Sequence, residues 1–124
     1  MSKKNFYELT YIINPVLEEN QTKEIVDKYN TFLKENGATI DQVEEWGIRE
    51  LAYEIDNKRS GYYVNLYFDG SSELIAKLER TMRIDDNIMR NLTLKYDSKM
   101  LKHYEQKKKG ELPSIFEIKE EEES

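Results

Sequence analysis

Apolar and polar residues alternate along four stretches of the chain and recur at helical spacing along two. Phe6 to Ile13 places Tyr7, Leu9, Tyr11 and Ile13 on one face and Glu8, Thr10 and Ile12 on the other, which predicts a strand. Asn14-Pro15 stops it, because proline has no amide to continue a ladder. Ile25, Val26, Tyr29, Phe32 and Leu33 then form the stripe of a core-facing helix, with Asn20 as the expected N-cap and Asn36-Gly37 as the stop. Ala38 to Ile55 predicts a long second strand. Its alternation is clear at Leu51, Tyr53 and Ile55 and weak around Glu44-Glu45-Trp46-Gly47, where the glycine marks a bulge. Asp56 to Gly61 has turn composition, and Tyr62 to Phe68 resumes the alternation, with Tyr62, Val64, Leu66 and Phe68 inward and Tyr63, Asn65 and Tyr67 on the other face. A second helix is expected over Glu73 to Met82, carrying Leu74, Ile75, Leu78 and Met82 on one face. A fourth strand follows over Ile88 to Tyr96, with Leu92 and Leu94 as its core positions.

Strand, helix, strand, strand, helix, strand is the order of the split βαβ, ferredoxin-like α+β fold (βαββαβ). Two helices would cover one face of a four-stranded antiparallel sheet and leave the other face open. The domain is expected to end at residue 97. Residues 98–124 carry few apolar anchors, only a short Ile115-Phe116-Glu117-Ile118 island and an acidic end, and are expected to form a charged, disordered tail.

Length and charge narrow the function classes. The 124 residues suit one domain, and no apolar run reaches the roughly 18 residues of a membrane span. No cysteine is present, which removes thiolate metal sites and cysteine nucleophiles. A net charge of −6 argues against strong autonomous binding to nucleic acid, since phosphate neutralisation supplies most of that affinity. Local basic patches, or a basic protein partner, remain open.

Catalytic chemistry finds no foothold, and no cofactor, metal or small-molecule substrate is expected. The one histidine, His103, falls in the tail, and no HExxH, GxSxG or P-loop pattern occurs. Asp85-Asp86 could form an acid/base or metal pair, but their place between helix and strand favours turn and cap roles. Tyr63 and Tyr67 could stack bases, yet the RNA-recognition consensus is missing from their strand. Packing or a protein interface suits those tyrosines better. Glu44, Glu45, Arg49 and Glu50 charge the second strand, either as protection against edge-to-edge pairing or as a surface for a cationic partner. Lys3, Lys4, Lys58, Arg59, Arg83 and Arg90 are scattered in sequence and read as solvated unless something gathers them.

Three segments carry more than periodicity. Gly47-Ile48-Arg49-Glu50-Leu51-Ala52-Tyr53-Glu54-Ile55 followed by Gly61-Tyr62-Tyr63, the opening Tyr7-Glu8 with Asn14-Pro15, and Arg83-Ile84-Asp85-Asp86-Asn87-Ile88-Met89-Arg90 resemble the bacterial small-subunit ribosomal protein family numbered six. The likeness runs in one register from Phe6 to Lys95; Asp56 stands where that family more often has a small or basic residue. The resemblance implies the same ferredoxin-like fold and a structural role on the cytoplasmic ribosome. It also implies binding to the central domain of small-subunit ribosomal RNA (rRNA) together with the small, basic ribosomal protein numbered eighteen. By that resemblance Glu44, Glu45, Arg49 and Glu50 would meet the partner. Arg49 would be shared with RNA, and Lys3, Lys4, Lys58, Arg59, Arg83 and Arg90 would contact phosphate. Two alternatives stand beside it: an autonomous single-strand RNA reader using Tyr63 and Tyr67, and a small-ligand module or acyl-phosphate hydrolase on the same fold. The second needs an anion-binding glycine loop or arginine at the first strand–helix junction, where Asn14-Pro15 sits.

Overall fold

The computed structural model describes residues 4–55 and 57–108. The elements are β1 (Lys4–Ile13), α1 (Glu19–Glu35), β2 (Thr39–Ile55), β3 (Lys58–Ser71), α2 (Ser72–Arg83), β4 (Ile88–Lys95) and α3 (Ser98–Lys108). The strands pair antiparallel in the order β2-β3-β1-β4, with α1 and α2 as the two crossovers: the ferredoxin-like arrangement.

Local chemistry explains the element ends. The Gln21 side-chain oxygen accepts from the Glu18 amide at 3.0 Å, so Glu18 rather than Asn20 is the N-cap of α1. Gly37, at φ 88°, closes that helix as its sequence position predicts. Ser71 Oγ accepts from the Leu74 amide at 3.2 Å and caps α2.

The core forms between the helices and one sheet face. Tyr7, Leu9, Tyr11 and Ile13 of β1 and Val64, Leu66 and Phe68 of β3 are buried against Ile25, Val26, Tyr29 and Leu33 of α1 and Leu74, Leu78 and Met82 of α2. The β1–β3 register sets Tyr7 opposite Phe68, Leu9 opposite Leu66 and Tyr11 opposite Val64. A one-residue slip would turn that entire set toward the other face.

The structure departs from the sequence expectation at three further places in the fold. Leu92 and Leu94 are not core: β4 sets them opposite Thr10 and Glu8, on the face away from α1 and α2, where they are 59% and 41% exposed. Their alternation is real, but an edge strand's alternation does not say which face is covered. The β2–β3 turn is tighter than Asp56 to Gly61, because Asn57 takes φ 65° and Lys58 already pairs with Ile55; after a register shift between Ile55 and Glu50 the ladder resumes at Ser60 and Gly61. Residues Ser98–Lys108 of the expected disordered tail form α3, which lies over the face expected to be open. Residues 109–124 lie outside the described residues.

Candidate functional site

The second sheet face is built from the alternate positions of the same strands. Phe6, Glu8, Thr10 and Ile12 of β1 stand beside Tyr63, Asn65 and Tyr67 of β3, and Leu92 and Leu94 of β4 complete it. Two bulges in β2 shape its border. The register shifts between Glu45 and Gly47, leaving Trp46 extra; Gly47 takes φ 79° and the indole stacks on Tyr63 with centroids 6.2 Å apart and planes 14° from parallel. The register also shifts between Ile40 and Gln42, leaving Asp41 extra and aimed at α3.

Helix α3 is held by one buried ring. Tyr104 is 6% exposed and packs with Phe6, Tyr67 and Tyr96, its centroid 4.5 Å from that of Tyr67. Its hydroxyl donates to Asp41 Oδ2 at 2.5 Å, and Lys108 Nζ lies 2.7 Å from the same carboxylate. The Lys108 ammonium and the Tyr104 hydroxyl hold the Asp41 carboxyl below its ordinary range against the opposing effect of burial, and burial with the bond to Asp41 pushes the Tyr104 hydroxyl up. Tyr96 OH donates to Glu8 Oε1 at 2.6 Å. The buried Asn65 amide completes the floor: its nitrogen donates to Leu9 O, Thr10 Oγ1 and Glu8 Oε2 at 3.2, 2.7 and 3.2 Å, and its oxygen accepts from Tyr67 OH at 3.1 Å. Burial pushes the Tyr67 hydroxyl up to about 12. Between α3 and the sheet lies a cavity of about 750 Å³, lined from the sheet by Glu8, Glu44, Trp46 and Tyr67 and from the helix by His103 and Tyr104.

The sequence candidates divide among separate places. Pairing with Asn65 and Gly61 turns Glu44 and Arg49 toward the α3 face, and both line the cavity. Glu45 and Glu50 pair with Val64 and Ser60 and point to the opposite side, where Glu45 Oε1 accepts from Tyr62 OH at 2.9 Å. The expected acidic edge is therefore split across two faces. Lys58 and Arg59 sit at the hairpin tip, and Arg59 Nε is 3.1 Å from Glu54 Oε1 in an exposed pair. Arg83 and Arg90 both line a shallow cleft between α2 and β4, but Arg90, opposite Ile12, turns its guanidinium to the α3 face of the sheet, 5.4 Å from the Tyr53 ring centroid, while Arg83 ends α2 on the helix side. Lys4 is exposed at the start of β1, paired with Ser71 at the far end of β3 from the hairpin tip, and Lys3 lies outside the described residues. Asp85 has the structural role its position favours: it accepts from Tyr29 OH at 2.6 Å, Lys28 Nζ at 3.2 Å and the Asn87 amide at 2.9 Å. Among the described residues no group of carboxylates or histidines could hold a metal ion, and no helix is long and apolar enough to cross a membrane.

Sequence reasoning missed Tyr96 and Tyr104 as the seat of α3. The signal was faint but present: Leu101 and Tyr104 fall three apart on one helical face. Asn65, a polar residue between two tyrosines of the outward set, also marked a buried hydrogen-bond network and was passed over.

Comparison with known proteins adds what geometry alone cannot. The sequence profile of the family described as Ribosomal protein S6 matches residues 6–95. The chain is 40% identical over 116 residues to small ribosomal subunit protein bS6 of Porphyromonas gingivalis, covering 94% of this chain and 98% of that one. It is 47% identical over 89 residues to the bS6 of Halalkalibacterium halodurans, covering 72% of this chain and 94% of the relative. The crystal structure of 30S ribosomal protein S6 from Thermotoga maritima superposes with a TM-score of 0.74 at 27% identity, covering 89% of this chain and all of the other.

Proposed function

Because the chain belongs to the ribosomal protein S6 family, a structural and non-enzymatic component of the small ribosomal subunit in the cytoplasm, we propose that it binds the central domain of small-subunit rRNA jointly with the small, basic ribosomal protein numbered eighteen. The observation that carries this reading is the separation of charge. Glu45 and Glu50 point to one side of β2, while Arg90 lies on the α3 face of β4, Arg83 at the end of α2, and Lys58 and Arg59 at the hairpin tip. A net charge of −6 leaves the cationic groups too few to hold RNA unaided, so a basic partner supplies the remainder. Glu45 and Glu50 offer that partner its acidic side, and Glu44 and Arg49 extend the contact onto the α3 face. Lys3, Lys4, Lys58, Arg59, Arg83 and Arg90 are the proposed phosphate contacts, with Arg49 between protein and RNA.

The test is a pairing titration with the purified basic partner. Glu45→Lys with Glu50→Lys should weaken pairing by at least about tenfold, as like charges replace opposite ones at an interface. Lys58→Ala should change it little. Equal effects would remove the acidic side of β2 from the interface.

A further inference from the structure

We propose that the cavity between α3 and the sheet is a binding site for one unstacked guanine nucleotide. The inference deepens the RNA-binding reading and rests on it for its biological source, a single-stranded guanosine of RNA, although a free nucleotide presents the same chemistry. Aromatic rings of Trp46, Tyr67, Tyr96 and Tyr104 contribute to its lining, and base–aromatic stacking is the general means of holding an unpaired base. Glu8 and Glu44 supply carboxylates, which accept and do not donate. Guanine alone among the common bases presents two adjacent donors, N1–H and N2–H, on its Watson–Crick edge, and a single carboxylate receives both in parallel. Glu44 is restrained for this role by Trp46, whose Nε1 donates to Glu44 Oε2 at 3.2 Å. Buried His103 Nε2 has no hydrogen-bond partner among the described residues, and an occupant with polar edges relieves that cost.

Charge selects between a nucleotide and the other occupant such a pocket could take, an arginine side chain of a protein. Arg49, Lys99 and Lys107 line the same cavity, three cations against the two carboxylates. They draw in a phosphate and disfavour a guanidinium.

Trp46 is the chain's one tryptophan, so its fluorescence reports on the site in the full-length protein. Titration with 5′-GMP should quench it saturably, with 5′-CMP at least about fivefold weaker, the lower end of discrimination by a paired carboxylate contact. Glu44→Gln should bring the GMP-to-CMP ratio toward one, and Tyr104→Ala should weaken both ligands. A guanosine-containing single-stranded oligoribonucleotide should quench as GMP does, which assigns the source to RNA; GMP without the oligomer assigns it to a free nucleotide, and both support the pocket. Equal GMP and CMP binding, quenching by the oligomer alone, by inorganic phosphate alone, or by arginine amide without GMP would each overturn it. Central-domain rRNA binding with the basic partner is measured on the same preparation. GMP silence with rRNA binding retained defeats this inference alone, and GMP binding with rRNA binding lost defeats the joint-binding reading alone.

Discussion

Replacing Tyr104 with alanine should release α3 from the sheet without unfolding the domain. The ring is 6% exposed and anchors a cluster of Phe6, Tyr67 and Tyr104 that shares no buried member with the main core. Burying an aromatic side chain removes roughly 150–250 Å² from water, or about 4–6 kcal/mol at about 25 cal/mol per Å². The hydroxyl's bond to Asp41 adds about 1 kcal/mol, since the carboxylate is partly exposed and screened. Against this stands the ordering of eleven residues at about 1 kcal/mol or more each, offset in part by the helix's own hydrogen bonds. Leu101 is the one other apolar residue of α3 packed into that cluster, and only partly buried. Without the Tyr104 ring, the favourable side no longer covers the ordering cost. Amide exchange should show residues 98–108 unprotected in Tyr104→Ala, with a matching loss of helical signal at 222 nm. The urea midpoint should move far less than for Leu33→Ala, where a fully buried side chain is truncated at a cost of about 2–5 kcal/mol. Tyr104→Phe keeps the ring and should lower α3 protection by about fivefold, the weight of about 1 kcal/mol. Wild-type protection of α3 in Tyr104→Ala, or α3 exchanging only through global unfolding in the parent protein, would refute the reasoning.

Other outcomes follow from single contacts. Burial opposes ionisation of Asp85, but Tyr29, the Asn87 amide and Lys28 outweigh it and hold the carboxyl below its ordinary 3.8. Its stabilisation is therefore present above about pH 4 and fades as pH falls through the folded-state value; Asp85→Asn should cost about 1.5–3 kcal/mol near pH 6 in urea unfolding and progressively less as the pH is lowered below about 4. A methyl group at Gly61 would sit 2.2 Å from Ile12 Cγ2, so Gly61→Ala should cost about 1–3 kcal/mol, with partial recovery in the double variant carrying Ile12→Ala. Truncating Arg83 and Arg90 together should shrink the salt slope of rRNA binding by about one to two, as expected for one or two lost phosphate contacts.

The element order was legible because each strand with a covered face repeats every second residue and each core helix every third and fourth. Tyr7 to Ile13 and Ile25 to Leu33 fall in the core as that pattern requires. Leu92 and Leu94 obey the same alternation and lie outside the core, because periodicity assigns residues to a face but does not say which face is covered. Helix α3 was illegible for a different reason: its segment is mostly charged, and its docking depends on Asp41, 63 residues away from Tyr104 in sequence and aimed by a bulge. The split of Glu44 and Arg49 from Glu45 and Glu50 follows from strand pairing around Trp46, which Gly47 hinted at but could not position.

Joint binding is tested most directly by occupancy on rRNA. Central-domain rRNA is reconstituted with this chain in the presence and absence of the basic ribosomal protein numbered eighteen, and the chain bound per RNA is counted at physiological salt. The expected result is one chain per RNA with the partner and little without it. Full occupancy by the chain alone, or none even with the partner present, would contradict joint binding.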